Sequence, residues 1–459
     1  MSTVAAISPS RKAAFAILLN MERGGAHADE LLRGRTLEAL SPVDRNLATT
    51  LVLGVLRWQI RLDAQIQRLL KKPGARLDPE VLIALRLGAF QLQFLDRVPA
   101  RAAIDESVEL PKQSGHRFAS GLVNAVLRKL ASAGPSNILP ESSAVELAVA
   151  CAHPPWLVER WTDSYGLEAT KAICRHGQAQ PPFTVRITST EVEAELTGAG
   201  LHFGSGALLS AARTVVSGGL TPTEPFHEGH VRIQDEGSQL IGELAARTGN
   251  ALNHNQEKFL DACAAPGGKT LILADRNPQA RIVACESNPR RFAELRKRLA
   301  AYADRVECRL ADATELEEHS AFDLVLVDVP CSGTGTLGRN PEIRHRLHLE
   351  EFARYAERQR ELLRAALRCV RPGGRVVYST CSLEPEENEQ VVSSVIEESQ
   401  NARQVSLESR IAAMAKAEII TVGGAARLRD CLTPEGNLLL LPGTVPTDGF
   451  FVALIEKTG

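Results

Sequence analysis

Apolar residues recur at helical spacing through the first 130 residues. RKAAFAILLNM, RNLATTLVLGVLRWQIRLDAQIQRLL, PEVLIALRLGAFQLQFL and ASGLVNAVLRKL each place Leu, Ile, Val and Ala three and four positions apart. The pattern predicts an all-α domain of about five to seven helices over residues 8–132. Ser10, Ser41 and Asp78 are the expected N-caps, with Pro42 and Pro79 in first-turn positions. SAGPSNILPESS (132–143) breaks the periodicity with linker residues. A shorter helical piece containing HPPWLVERW follows, and PPFTVRITSTEVEAELTGAG then reads as strand and helix. VRIQDEGSQLIGELAAR (231–247) opens another strand–helix unit.

From residue 258 the period changes. Short apolar runs, KFLDAC (258–263), ARIVACE (280–286), RVECRL (305–310), FDLVLVD (322–328) and RVVYSTC (375–381), alternate with helical stretches such as RRFAELRKRLA and EEFARYAERQRELLRAALRCV. Near-continuous apolar strands separated by helices predict a parallel sheet covered on both faces. NLLLLPG and DGFFVALIEK read as a closing antiparallel hairpin. The division expected is therefore a helical domain over 1–135, a small α/β middle domain over 145–230 and a larger α/β domain over 231–459.

Composition narrows the class. Hydrophobic residues at 44% and charged residues at 24% are ordinary for a soluble globular chain, and no window reaches the length of a membrane span. The run after Arg11 and Lys12 reads as an amphipathic first helix, not a signal peptide. Nine cysteines in 459 residues, none in a C-x-x-C pair, point to reduced thiols in a cytoplasm. Eleven histidines without H-E-x-x-H spacing argue against a metal site. The net charge of −2 hides an asymmetry: residues 1–135 carry 19 Lys and Arg against 12 Asp and Glu, and the remainder 34 against 43. A basic module joined to an acidic one fits a polyanionic partner, and solvated helix faces account for the same counts equally well.

Candidate chemistry begins at DACAAPGGKT (261–270), a glycine turn between a strand and a helix. Such a turn brings backbone N–H groups close to a ligand. A P-loop would match Gly268-Lys269-Thr270, but Cys263 stands at its first glycine position. A nucleoside-binding turn instead expects an acid about 20 residues on, at the end of the next strand. Glu286 is there, 19 residues past Gly267; Asp312 follows the third strand and Asp328 ends the fourth. Three acids at three consecutive strand ends favour S-adenosylmethionine over ATP.

Cys331, in DVPCSG, and Cys381, in YSTCSLEPEEN, follow neighbouring strands. Strands lie ~4.8 Å apart, so both sulfurs can face one pocket. A lone cysteine in such a place is more often a small buried hydrophobe. A pair suits a specific chemistry: carbon 5 of a pyrimidine is a poor nucleophile until a thiolate adds to carbon 6, and cysteine supplies that thiolate. A base must then take the carbon-5 proton and the thiol must leave; an acid or hydrogen-bond donor at ring N3 helps the addition, and Asp328 is the nearest candidate for it. Spacing alone leaves open which cysteine attacks. Glu384, Pro385, Glu386 and Glu387 read as the cap and first turn of a helix after Cys381.

DACAAPGGKT, DVPCSGTGTLGRNPEIR, YSTCSLEPEENE and DGFFVA together resemble the RNA 5-methylcytosine methyltransferases of the NOL1/NOP2/Sun group, over residues 230–457. The first domain looks like a NusB-type RNA-binding domain, and the middle segment like the small domain that precedes the group's catalytic core. The resemblance implies a Rossmann-like class I methyltransferase domain that uses S-adenosylmethionine on small-subunit (16S) ribosomal RNA. It implies that Cys381 is the nucleophile and that Cys331 assists proton removal or product release. Cys263, Ala264, Ala265, Pro266, Gly267, Gly268 and Lys269 match the cofactor loop. Glu286, Asp312 and Asp328 match the acids contacting ribose, adenine and the methyl-donor end, while Lys269 and Asp328 help orient the base. DVPCSG has valine where alanine is common, and VRIT replaces a usual V-x-N; neither touches a proposed chemical group.

A cytosine must be unpaired or flipped out of a helix for its carbon 5 to be reached. Arg339, Arg344 and Arg346 are candidate phosphate contacts, a solvated basic loop being the equally open reading; RRFAELRKR (290–298) is expected to be an exposed helix face, and the protein a monomer without metal or membrane. Two other classes stay open on the residues: a P-loop-like NTPase acting on RNA, and a non-catalytic RNA-binding factor.

Overall fold

The computed structural model describes residues 7–24, 28–133, 140–246 and 257–458. Among the described residues the first part forms seven α-helices, Pro9–Glu22, Ala28–Leu32, Arg35–Glu38, Pro42–Leu69, Pro79–Phe94, Ala100–Gln113 and Ser120–Ser132, four of them on the periodic runs. Pro42 and Pro79 open two of them, where a fixed φ and a missing N–H do no harm. The Ser41 hydroxyl accepts from the Asp44 N–H at 3.2 Å. Ser10 is not a cap. The first helix starts at Pro9, and the flanking Ser8 gives both its N–H and its hydroxyl to Glu106, each at 2.8 Å. The apolar stripes meet in a core that includes Leu51, Leu62, Ile66, Leu85 and Leu127.

Residues 134–139 of the expected linker, and Arg247 at the end of VRIQDEGSQLIGELAAR, lie outside the described residues. The helix that begins in HPPWLVERW is longer than its pattern suggested: it runs Pro155–Gln178, interrupted at Gly166 (φ 78°, ψ 161°). By compactness the chain forms two units, Met1–Gln180 with Leu337–Arg346, and Pro181–Thr336 with Leu347–Gly459.

The first unit thus includes ten residues from the segment after the Pro-Cys motif. Arg344, expected to face phosphates, is buried in it and donates to the carbonyls of Gly177 (3.0 Å), Ala152, Leu337 and Arg57. Arg57 in turn donates to Gly338 O at 2.8 Å. Burial pulls the Arg344 pKa down to about 9. Arg344 is a strap, held by carbonyl dipoles, and cannot serve as a phosphate contact.

The second unit holds two sheets. Strands β1 (Thr184–Ile187), β2 (His202–Ser205), β3 (Ala212–Ser217) and β4 (Val231–Ile233) make an antiparallel sheet in the order β2-β3-β1-β4. The larger sheet contains β5 (Lys258–Asp261), β6 (Arg281–Glu286), β7 (Val306–Leu310), β8 (Phe322–Asp328), β9 (Val370–Thr380), β10 (Ala402–Val405), β11 (Leu438–Leu440) and β12 (Phe450–Lys457). Its order is β10-β12-β9-β8-β5-β6-β7, with β11 on β12. β9, β8, β5, β6 and β7 are parallel, and β12 closes antiparallel on β9. Leu260, Val325, Val327, Val376 and Tyr378 are buried, which explains the unbroken apolar runs. The chain winds outward from β5 to β7 and then returns to β8 on the other side. That reversal opens a crevice at the carboxyl ends of β5 and β8, where an open α/β sheet binds its ligand. No helix among the described residues is long and apolar enough to cross a membrane.

Candidate active site

The loop leaving β5 is pinned between its neighbours. Ala262 N–H donates to Leu326 O and Ala264 N–H to Cys285 O, both at 2.8 Å. Gly267 then turns at φ 96°, and a helix runs Gly268–Arg276. A side chain at 267 would be strained by that φ, and its Cβ would lie 3.0 Å from Leu295. Inside the turn, Thr270 donates to Asp261 at 2.7 Å. Asp261 is buried, and burial pushes its carboxyl up to about 7 in spite of the Thr270 bond.

Lys269 lies against the next strand end. Its Nζ donates to Asp328 Oδ2 at 2.7 Å, and the Ser379 hydroxyl donates to Asp328 Oδ1 at 2.7 Å. Burial opposes the ammonium, but the Asp328 carboxylate outweighs it and holds the Lys269 pKa above the ordinary value. Asp261, Cys263, Ala264, Ala265, Pro266, Gly268, Lys269 and Asp328 line one cleft, together with Gln234 and Arg298.

Glu286 and Asp312 sit at the ends of β6 and β7, outside that lining. Glu286 accepts the Asn288 N–H at 2.8 Å and lies 3.5 Å from Arg291. Asp312 accepts from the Thr314 N–H (3.0 Å) and hydroxyl (2.7 Å) and pairs with Arg358. Against burial, these bonds hold the Asp312 carboxyl below the ordinary value.

The two cysteines meet. Their Sγ atoms are 3.2 Å apart, since β8 and β9 are parallel neighbours with Asp328 opposite Ser379. Gly335 N–H donates to Cys381 O at 2.9 Å, which draws the two loops together. The hydrogen bond to Cys381 and burial push the Cys331 thiol well above its usual pKa, and the charge of Glu387 adds to them. Cys331 therefore carries its proton at neutral pH. Cys381 is among the groups that act on Lys269, so this sulfur and the Lys269 ammonium are neighbours.

Comparison with known proteins agrees along the chain. The NusB family model matches residues 8–132, a ferredoxin-like domain model of RsmF/B-like methyltransferases matches 153–208, and the model of 16S rRNA methyltransferase RsmB/F matches 250–456. A Bacillus subtilis protein named "Probable ribosomal RNA small subunit methyltransferase B" is 33% identical over 98% of this chain and 99% of its own length. The chain belongs to the ribosomal RNA small subunit methyltransferase B family.

Solved structures share the family's fold. The crystal structure of PH0851 has a TM-score of 0.78 over 99% of this chain and 100% of that one, at 24% identity. That of NSun6 from Pyrococcus horikoshii with SFG has 0.52 over 66% and 97%, at 17% identity. In this member, the geometry around the two cysteines corrects a further expectation and adds three groups. The helix after Cys381 starts at Glu389, not at Glu384, because residues 385–388 form a turn. Ser379, Gln359 and Glu387 are site residues that pattern did not single out. The signal available for Ser379 was its place in S-T-C-S, two residues before the cysteine.

Proposed function

We propose that this protein methylates carbon 5 of a specific cytosine in 16S ribosomal RNA with S-adenosylmethionine, through a covalent bond between Cys381 and cytosine carbon 6. The observation that carries the reading is the pair of sulfurs 3.2 Å apart, beside the Lys269–Asp328 ion pair. The name of the Bacillus subtilis relative supports ribosomal RNA as the substrate.

The residues fit the cofactor. A left-handed glycine turn opens a helix at the crevice, and Glu286, Asp312 and Asp328 stand at successive strand ends to take a nucleoside and its charged tail. The cofactor supplies an electrophilic methyl group on a sulfonium. The chain supplies the rest. Attack of the Cys381 sulfur on carbon 6 forms the S–C bond and moves the electron pair to carbon 5. Carbon 5 would take the methyl group with that pair as the sulfonium S–CH3 bond breaks; loss of the carbon-5 proton to a base then restores the ring double bond, and the Cys381 sulfur leaves with the S–C pair. The Cys331 thiol, within hydrogen-bond reach of that sulfur, favours its departure. Lys269 is the member of its pair with protons to offer the base, since Asp328 already accepts from Lys269 and Ser379.

A phosphate-binding reading would need Lys269 and Thr270 for the phosphates, and both are committed to Asp328 and Asp261. We take the enzyme to act as a monomer, without metal, in the cytoplasm, on an unpaired or flipped cytosine. Bisulfite sequencing of 16S ribosomal RNA from a deletion strain tests the function. One cytosine should lose protection, and the intact gene but not a Cys381→Ala copy should restore it. An unchanged pattern of protected cytosines refutes the proposal.

A further inference from the structure

Serine follows each cysteine, in P-C-S-G and in T-C-S-L, and both serines reach the same carboxylate. Glu387 is fully buried. Its Oε2 accepts the Ser332 main-chain N–H and the Gln359 Nε2, each at 2.9 Å, and its Oε1 accepts the Ser382 hydroxyl at 2.7 Å. The two serine hydroxyls are 3.1 Å apart. Gln359 Nε2 also donates to Pro330 O at 3.0 Å, so the Pro-Cys loop is held on both sides of Cys331. The Tyr378 hydroxyl, from β9, donates to Glu387 O at 2.6 Å and anchors the residue's own backbone. A buried carboxylate with three neutral donors from three segments is a rigid junction, because losing any donor leaves costly unmet polarity.

We propose that Glu387 is the positioning residue of the two-cysteine reaction, fixing the Cys331 and Cys381 loops against each other so that both sulfurs face one pyrimidine. The inference rests on the roles proposed above for the two cysteines. The carboxylate has a second consequence. Its charge opposes ionisation of Cys331, the group that must stay a thiol to assist departure of the Cys381 sulfur.

Single-turnover methylation of transcribed 16S ribosomal RNA by the full-length protein tests this, with pH–rate profiles and RNA affinity measured alongside. Glu387→Ala should slow methylation about 100-fold, the effect of loosening reacting groups by about an ångström, with RNA affinity unchanged. Glu387→Gln can keep all three contacts, its oxygen taking Ser332 and Gln359 and its amide donating to the Ser382 hydroxyl. It should recover to within about tenfold of wild type. Its alkaline limb should begin at lower pH, because Cys331 loses the neighbouring charge. A folded Glu387→Ala enzyme with wild-type rate overturns the proposal, as does Glu387→Gln with a wild-type pH profile, which also decides the matter should Glu387→Ala not fold. Cys381→Ala run in parallel separates the two readings. Residual methylation by it sinks the cysteine assignment, whereas an inactive Cys381→Ala beside unaffected Glu387 variants sinks the positioning role alone.

Discussion

At the ends of β6 and β7 the acids of the proposed cofactor side each take a main-chain N–H two residues on, Glu286 from Asn288 and Asp312 from Thr314, with one longer tie, Asp312 to Arg358. At the ends of β8 and β9 the bonds reach much further along the chain. Cys331 meets Cys381, Ser332 meets Glu387, and Lys269 meets Asp328, each across 50 or more residues. The proposed cofactor side is built mainly from local turns, with few ties between them. The thiol side is a junction whose parts depend on one another, and substitutions there should act together.

The kinetic signatures of the two sides should differ accordingly. The largest effect belongs to the thiol side: Cys381→Ala should reduce methyl transfer to 16S ribosomal RNA by about four orders of magnitude or more while leaving cofactor affinity intact, measured by equilibrium binding. Next comes the residue that joins the sides. Lys269→Met removes the ammonium beside Asp328 and Cys381 and should cost about 100-fold in turnover. On the cofactor side, Gly267→Ala imposes a left-handed φ on a residue with a Cβ. It should weaken S-adenosylmethionine binding about tenfold and leave turnover at saturating cofactor nearly unchanged. A large loss of turnover in Gly267→Ala would break the comparison.

The smallest effect is a pH dependence. Asp261 has a folded pKa of about 7 against an ordinary 3.8, so the folded state binds its proton more tightly than the unfolded chain does. This contribution is fully present below pH 3.8 and is lost as pH rises through 7. Denaturant unfolding should show wild type losing stability relative to Asp261→Asn across that window, and a difference independent of pH would contradict the assignment.

The local side was legible in the sequence. DACAAPGGKT carries its glycine turn within ten residues, and Glu286 and Asp328 end their strands as the apolar runs predict. The meeting of the cysteines was legible too, because neighbouring strands fix their ends. Glu387 was not. Its partners lie 55, 28 and 5 positions away, so helix-cap spacing assigned it to a first turn that in fact starts at Glu389. Arg344 misled for the same reason: in a basic stretch it looks solvated, and only the fold shows the carbonyls of residues 57, 152 and 177 around it.

The division of labour between the two sulfurs is tested most directly by trapping. Cys331→Ala, incubated with S-adenosylmethionine and 16S ribosomal RNA, digested and read by mass spectrometry, should accumulate 5-methylcytosine covalently attached to the peptide containing Cys381. An adduct that instead forms on Cys331 in Cys381→Ala, with none in Cys331→Ala, would contradict the account.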